Sequence, residues 1–177
     1  MAAANIFSNS PLALPKIKGL DLESLKYIRV FCDIHMNKNG PIVVIEDDAD
    51  DREILDEIFK SLDYKNSIIY FGDSEEALKY LIDTKIKPFL ILSDINMPKL
   101  SGFALRQKIH TNEDLNLKCI PYLFFTTTSD QKAIVDAYSQ SVQGFFVKAN
   151  SFDKLQRTIK TIIEYWKECE APNFIPG

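Results

Sequence analysis

The sequence is poor in the residues that build disulfide frameworks and zinc sites. It has three cysteines and two histidines among 177 residues. Cys32, Cys119 and Cys169 lie far apart, and no pair has Cys-x-x-Cys spacing. An odd number of scattered cysteines is typical of proteins from a reducing compartment. We therefore predict a cytoplasmic protein with neither a disulfide scaffold nor a zinc site.

The sequence also lacks a long apolar run and an excess of basic charge. No stretch approaches the roughly 20 apolar residues of a membrane-spanning helix, and the N-terminus lacks a basic segment followed by a continuous apolar one. The net charge is −4, and the acidic excess falls after residue 40. These features predict a soluble protein that binds neither nucleic acid nor a membrane.

The N-terminal segment carries no residue that we assign to chemistry. Residues 1–39 are predicted as an extension, residues 40–170 as one domain and residues 171–177 as a short tail. Within the extension, Asp21 to Phe31 has the apolar spacing of a short helix. An alternative is that the native chain begins at Met36.

From residue 40 onward, apolar runs alternate with amphipathic segments. The predicted strands are residues 41–45, 67–71, 89–93, 120–125 and 144–147. The predicted core positions of the five helices are Ile54, Leu55, Ile58, Phe59 and Leu62; Ala77, Leu78, Leu81 and Ile82; Phe103, Leu105 and Ile109; Ile134, Ala137 and Tyr138; and Leu155, Ile159, Ile162, Ile163 and Trp166. This alternation predicts an α/β fold: a flavodoxin-like, doubly wound, five-stranded parallel sheet in the order 2-1-3-4-5, with five helices.

Local residues predict three element boundaries. Thr111 to Lys118 is polar and is predicted as a connector. Thr128 to Gln131 has the spacing of a capping box at the start of the fourth helix. Ser151 is predicted to begin the last helix, which ends near Ala171-Pro172.

Asp94 follows the third predicted strand, at the edge of an open α/β sheet where ligands bind. A simpler interpretation is that Asp94 only begins a turn. The predicted strand order brings it beside Glu46 and Asp47, which follow the first strand. Carboxylates that converge repel one another unless they are well solvated or share a cation. An oxygen-only cluster without histidine or cysteine suits Mg²⁺.

Other interpretations apply to each of these polar residues alone. The acidic run from Glu46 to Asp51 could only cap the first helix, although Glu46 and Asp47 precede that helix. Thr126, after strand four, could be a strand-end or cap residue, and Lys148, after strand five, a solvated charge. Together, a hydroxyl and an ammonium beside carboxylates and Mg²⁺ would form a site for a phosphoryl group.

The motifs resemble the receiver domains of two-component response regulators. The matching segments are VVIEDD with Glu46-Asp47, SDINMPKLSG with Asp94, PYLFFTT with Thr126, and GFFVK with Phe145 and Lys148. The resemblance covers about residues 40–170. One position departs from the family pattern, because Ala149 stands where a proline usually follows the lysine. We expect the Lys148–Ala149 peptide bond to be trans, since a cis bond before a non-proline residue is costly.

The resemblance implies a role for each site residue. Asp94 is the phospho-acceptor, and it receives its phosphoryl group from a phosphohistidine of a sensor histidine kinase or phosphotransfer protein. Asp47 and Asp94 are implied to bind Mg²⁺ directly, Glu46 mostly through water, and the backbone carbonyl of Asn96 to supply a further oxygen. Lys148 is implied to contact the phosphoryl group.

The resemblance also implies an output route. Thr126 and Phe145 form the switch pair, and the surface of the fourth helix, fifth strand and fifth helix binds a downstream protein or a second copy of the chain. Such a protein is not an enzyme in the usual sense, because it catalyses only its own phosphorylation and dephosphorylation.

Two other functions would fit part of the pattern. Haloacid-dehalogenase-type phosphatases also use a strand-end aspartate and Mg²⁺, but they need a second carboxylate two residues on, where this chain has Asn96. A receiver-like fold could instead serve as a constitutive protein-binding module. His110 ends the third predicted helix. A solvated side chain that interacts favourably with the helix dipole is a simpler interpretation of His110 than a phosphoryl relay.

Overall fold

The computed structural model describes residues 36–117 and 119–169. The elements are β1 Ile42–Ile45, α1 Ala49–Leu62, β2 Ile68–Phe71, α2 Ser74–Asp83, β3 Leu90–Ser93, α3 Gly102–Thr111, α4 Glu113–Leu117, β4 Tyr122–Thr126, α5 Gln131–Ser139, β5 Gly144–Val147 and α6 Phe152–Glu168. The predicted fourth and fifth helices are therefore α5 and α6. Predictions about residues 1–35 and 170–177 lie outside the described residues.

The five strands form one parallel sheet in the order β2-β1-β3-β4-β5, which confirms the predicted flavodoxin-like topology. Ile45 at the end of β1 pairs with Phe71 of β2 on one side and Ser93 of β3 on the other. Thr126 at the end of β4 pairs with Val147 of β5. The residues that follow these positions therefore meet at one edge of the sheet.

Helices cover both faces of the sheet. One core cluster packs the face carrying Val43, Ile91 and Phe124 against α2, α3 and α5. The other packs the opposite face against α1 and α6, whose buried residues include Ile58 and Ile159. Burial of one such aliphatic side chain contributes about 1.5–3 kcal/mol relative to exposure. Because both faces are buried, the central strands are continuous apolar runs without alternation.

The predicted core positions of the helices are confirmed at the centre of each buried helix face and wrong at its margins. In α6, the predicted Leu155, Ile159, Ile162 and Ile163 are all buried. Ile54, Ile82 and Tyr138, which were predicted to face the core, are 39%, 51% and 56% exposed. Each lies next to a buried residue of the same helix, about 100° further around the helix axis, and this rotation turns it toward solvent.

Two predictions about the segments around β4 are wrong. The connector from Thr111 to Lys118 contains a helical turn, α4, whose start is favoured by Asn112, which accepts a hydrogen bond from the backbone N–H of Leu115 at 3.0 Å. The described residues therefore contain six helices, not five. Helix α5 begins after Asp130 rather than at Thr128.

The last helix begins after Ser151 as predicted and ends at Glu168, a few residues before Ala171. All peptide bonds between described residues are trans, which agrees with the expectation for Lys148–Ala149. Within the described ranges, no helix is both long enough and apolar enough to cross a membrane.

Candidate functional site

The carboxylates of Glu46, Asp47 and Asp94 converge at the carboxyl edge of the sheet. One oxygen atom from each lies within 4.8 Å of the others. Backbone hydrogen bonds fix this convergence: the N–H of Glu46 donates to the carbonyl of Phe71, and that of Asp94 to the carbonyl of Ile45, both at 2.9 Å. The ladder thus extends one residue past β1 and β3, and it sets both carboxylates at the sheet edge.

Asp94 has one satisfied and one unsatisfied oxygen. Its Oδ2 accepts a hydrogen bond from the backbone N–H of Asn96 at 3.0 Å. Its Oδ1 is buried and has no hydrogen-bond partner among the described residues. A buried acceptor without a partner is costly, by roughly 1–3 kcal/mol. Oδ1 is therefore available to a cation or to a reacting group.

These residues fit a hard divalent cation. The cluster offers carboxylate oxygens from three residues, with the acidic side chains of Glu46 and Asp94 buried and Asp47 half-buried. Oxygen ligands of this kind suit Mg²⁺ and Mn²⁺. Asp94 belongs to this cluster, and its Oδ1 is a buried acceptor without a partner among the described residues that a cation could satisfy.

Glu46 is buried next to a cation. Its Oε2 lies 2.5 Å from Nζ of Lys148. Burial raises the pKa of the Glu46 carboxyl to about 7, although the hydrogen bond and charge of Lys148 act in the opposite direction. The guanidinium of Arg52 donates to the backbone carbonyl of Glu46 at 2.6 Å, which helps to hold the end of β1 against α1.

Lys148 projects from the end of β5 into the acidic cluster. Its Nζ also lies 2.6 Å from Oδ2 of Asp51, in the first turn of α1. Burial disfavours the Lys148 ammonium, but the hydrogen bonds to Asp51 and Glu46 outweigh it and raise the pKa of Lys148 overall. The alternative of a solvated lysine is therefore wrong, because the side chain is buried and doubly paired.

Sequence reasoning did not assign Asp51 a role. Capping of the first helix was one interpretation of the acidic run from Glu46 to Asp51, and Asp48 does serve as the N-cap, accepting from the N–H groups of Asp50 and Asp51. The side chain of Asp51 instead reaches Lys148. No periodicity in the sequence indicates this pairing, because it joins a residue of α1 to the residue that follows β5.

The hydroxyl-bearing loop after β4 borders the site. Thr126 is fully buried, and its hydroxyl accepts a hydrogen bond from the backbone N–H of Thr128 at 3.3 Å. The side-chain amide of Asn96 donates to the hydroxyl of Thr128 at 2.7 Å. Thr128 thus joins the loops after β3 and β4, rather than capping α5 as predicted.

Phe145 lies on β5, partly buried against the core cluster that includes Phe124. The two rings meet edge to face, with centroids 6.3 Å apart. Of the residues predicted for the site, Glu46, Asp47, Asp94 and Lys148 come together at the sheet edge. Thr126 lies at the end of the adjacent strand, and Phe145 lies further down β5. The role of each residue, including the Asn96 carbonyl as a ligand, stays a prediction.

A buried polar network, also missed from the sequence, lies beneath the site. The Ser93 hydroxyl donates to the backbone carbonyl of Asp94 at 2.8 Å and contacts the Tyr122 phenol. Tyr122 donates to the carbonyl of Gly102 at 3.3 Å. The guanidinium of Arg106 lies 5.6 Å from the centre of the Tyr122 ring.

Arg106 is held by uncharged groups. Its terminal N–H donates to the backbone carbonyl of Ser141 at 2.9 Å, while Nε has no partner among the described residues. The sequence did contain a signal, because Arg106 is four residues after Gly102 and three before Ile109, which places it on the buried face of α3.

Comparisons with known proteins agree with this geometry. The family model of the response regulator receiver domain matches residues 42–160. The probable methanogenesis regulatory protein FilR2 of Methanothrix harundinacea is 30% identical over 129 residues, which cover 71% of this chain and 82% of FilR2. Response regulator Rcp1 of Synechocystis sp. is 26% identical over 132 residues, which cover 72% of this chain and 88% of Rcp1.

Solved structures show the same similarity. The Mn(2+)-bound form of response regulator Rcp1 matches with a TM-score of 0.66 and 25% identity, over 76% of this chain and 99% of that one. The family model covers well over half of the sequence, from β1 into α6. This chain therefore belongs to the response regulator receiver domain family.

Proposed function

We propose that this chain is a phosphorylation-dependent signalling switch in which Asp94 accepts a phosphoryl group from a phosphohistidine. The donor is a sensor histidine kinase or a phosphotransfer protein. The single observation that carries the proposal is the Oδ1 atom of Asp94. This oxygen is buried and has no partner among the described residues, and Asp94 belongs to the cluster with Glu46 and Asp47. Glu46 in turn pairs with Lys148.

In the transfer, an Asp94 carboxylate oxygen forms a bond to phosphorus while the phosphorus–nitrogen bond of phosphohistidine breaks. The electron pair of that bond returns to the imidazole. The Asn96 N–H donates to Oδ2 of Asp94 and so orients the carboxylate for this reaction. The Lys148 ammonium neutralises charge on the phosphoryl oxygens, which is the kind of stabilisation that contributes most to phosphoryl transfer.

Mg²⁺ is the cofactor we assign to this site. Asp47 and Asp94 would bind it directly, the Asn96 carbonyl would supply a further oxygen, and Glu46 would act mostly through water. When bound, the ion supplies positive charge to the phosphoryl oxygens. Support comes from the oxygen-only donor set and from the Mn(2+)-bound form of the similar protein Rcp1.

The signal leaves, in this proposal, through α5, β5 and α6. A phosphoryl oxygen draws the Thr126 hydroxyl toward it, and Phe145, now partly buried, turns into the space that opens. Burial of that ring contributes up to roughly 1.5–3 kcal/mol, which is enough to bias two states of the surface. A downstream protein, or a second copy of the chain, then binds this surface.

Phe145→Ala tests the output route. It should weaken binding of the beryllofluoride-treated protein to its partner and leave phosphorylation of Asp94 unchanged. Chemical-shift changes in the beryllofluoride complex should reach α5 and α6 in the wild-type protein. Changes confined to the loops around Asp94 would contradict the route.

We further propose that the chain turns over no external substrate and acts in the cytoplasm. Asn96 stands where an aspartate-nucleophile phosphatase needs its general acid, and an amide cannot donate a proton in that role. The scattered cysteines favour a reducing compartment.

Labelling by a small phosphodonor tests the proposed function. Acetyl phosphate and Mg²⁺ should add one phosphoryl group to the wild-type protein, as measured by intact mass. Asp94→Asn should add none, and Asp50→Asn, which removes an exposed carboxylate from the first turn of α1, should label like wild type. Equal labelling of Asp94→Asn would reject the assignment, and an unlabelled wild-type protein would favour the constitutive binding module.

A further inference from the structure

The ammonium of Lys148 is committed to carboxylates other than that of Asp94. Its ion pairs are with Oε2 of Glu46 and Oδ2 of Asp51. Among the described residues, Asp94 forms no ion pair with it, although the charge of Asp94 does favour the charged form of Lys148 and raises its pKa. The cation that we assign to the phosphoryl oxygens is therefore held by the β1 and α1 side of the site.

Asp51 is well placed to hold this cation. Its backbone N–H donates to the side chain of the N-cap, Asp48, at 3.1 Å, which fixes the first turn of α1. Its carboxylate is half-buried and takes no part in the cluster formed by Glu46, Asp47 and Asp94. The contact of Asp51 that bears on the reaction is thus its ion pair with Lys148.

We infer that Asp51 is a positioning residue that restrains Lys148 on the α1 side and releases it when Asp94 gains a phosphoryl group. This inference rests on the proposed function. Glu46 follows β1 directly, whereas Asp51 lies in the first turn of α1 and belongs to none of the motifs that assign the site. In the unmodified protein the Asp51 carboxylate holds the Lys148 ammonium. Once Asp94 carries a phosphoryl group, that carboxylate competes with the phosphoryl oxygens for the same ammonium.

The inference predicts the direction in which neutralisation of Asp51 changes labelling and beryllofluoride affinity. If Asp51 restrains Lys148, its neutralisation favours the phosphorylated state, and the gain should be roughly fivefold, as expected for one partly exposed ion pair. If Asp51 instead orients Lys148 for the reaction, neutralisation slows labelling. If Asp51 only interacts with the helix dipole, its neutralisation changes neither the labelling rate nor the affinity for beryllofluoride.

The experiment compares Asp51→Asn with Asp50→Asn, which removes a neighbouring carboxylate that has no contact with Lys148. Two quantities are measured at saturating Mg²⁺: the rate constant for labelling by acetyl phosphate, and the dissociation constant for beryllofluoride by calorimetry. Asp51→Asn should raise the first and lower the second, each by roughly fivefold. Asp50→Asn should match wild type, and Asp51→Glu, which keeps the carboxylate, should return both quantities toward wild type.

A Lys148→Met background separates restraint of Lys148 from a general charge effect. In that background, Asp51→Asn should change neither quantity, because the ammonium is gone. The same gain with and without Lys148 would overturn the inference, as would unchanged or weaker labelling of Asp51→Asn in the wild-type background. If wild type and Asp50→Asn are labelled at Asp94 while Asp51→Asn shows no gain, this inference fails and the proposed function stands. An unlabelled wild-type protein that also fails to bind beryllofluoride would overturn both.

Discussion

Two buried cations, Lys148 and Arg106, have different partners. The side chain of Lys148 is 8% exposed and contacts two carboxylates. Arg106 is 6% exposed and contacts a backbone carbonyl and the face of Tyr122. Charged partners can be exchanged for another anion, whereas a carbonyl and a ring hold a cation in place. This difference agrees with the proposed role of Lys148 in the reaction, and it predicts that Arg106 supports the fold instead.

The pKa directions of the two side chains agree with this difference. Burial lowers the pKa of Arg106, and only the nearby Tyr122 acts in the other direction. At Lys148, burial also opposes the charged form, but the carboxylates outweigh it and raise the pKa. Desolvation is therefore offset at Lys148 and left largely uncompensated at Arg106.

The largest expected effect separates the two cations by function. Lys148→Met should slow labelling of Asp94 by about 100-fold or more, because removal of one preorganised charge from a phosphoryl site has effects of that order. Arg106→Met should leave the rate within about twofold, since Arg106 contacts no reacting atom. Initial rates with acetyl phosphate and Mg²⁺ measure both. Equal loss in the two variants would contradict the division of roles.

The second expected effect concerns stability. Arg106→Ala should lower the free energy of unfolding by about 2–3 kcal/mol, because it leaves a void beside Tyr122 and removes the hydrogen bond from Arg106 to the Ser141 carbonyl. Lys108→Ala, at an exposed position of the same helix, should change it by about 0.5 kcal/mol or less. Urea unfolding followed by circular dichroism gives both values. A similar change in the two variants would show that Arg106 does not support the fold.

The third expected effect concerns the metal. If the dissociation constant is about 1 mM, about 10 mM Mg²⁺ should add about 1.4 kcal/mol to the free energy of unfolding. Asp47→Ala should melt higher than wild type without metal, because it relieves repulsion with Glu46 and Asp94, and should lose the response to Mg²⁺. Thermal melts with and without Mg²⁺ measure this. A lower metal-free melting temperature would indicate that Asp47 is a structural cap.

The last expected effect is a pH dependence. The pKa of Glu46 is raised from its ordinary value of 4.5 to about 7, mainly by burial. Between these values the folded protein binds more protons at this group than the unfolded chain does, so its contribution to stability falls as pH rises from about 4.5 to about 7. Denaturant melts of metal-free wild type and Glu46→Gln check this. An equal slope in both proteins would contradict the assignment to Glu46.

Regular repetition made most of the fold predictable from the sequence. The strands, the sheet order and the stripe of α6 follow from apolar runs and a helical period. Ile54, Ile82 and Tyr138 were wrongly predicted to face the core, because the helical period alone does not show where the buried face of a helix ends. Helix α4 was missed because a single turn is too short to show a period, and α5 begins later than predicted because Thr128 bonds to Asn96 rather than to its own helix.

The site was predictable where backbone topology sets it. Glu46, Asp47 and Asp94 follow adjacent parallel strands, so strand order alone brings them together. The contact of Asp51 with Lys148 depends on side-chain direction across two elements, which no local pattern encodes. Arg106 is absent from the predicted core positions because those were chosen by apolar character, although its helical position places it on the buried face.

The most direct test of the central claim is chemical mapping of the phosphorylated residue. The wild-type protein is labelled with acetyl phosphate and Mg²⁺, the acyl phosphate is reduced with borohydride, and the peptides are sequenced by mass spectrometry. Reduction converts an aspartyl phosphate to homoserine, so homoserine should appear at position 94 and should be absent from unlabelled protein. Homoserine at Asp47 or another carboxylate, with position 94 unchanged, would contradict the account.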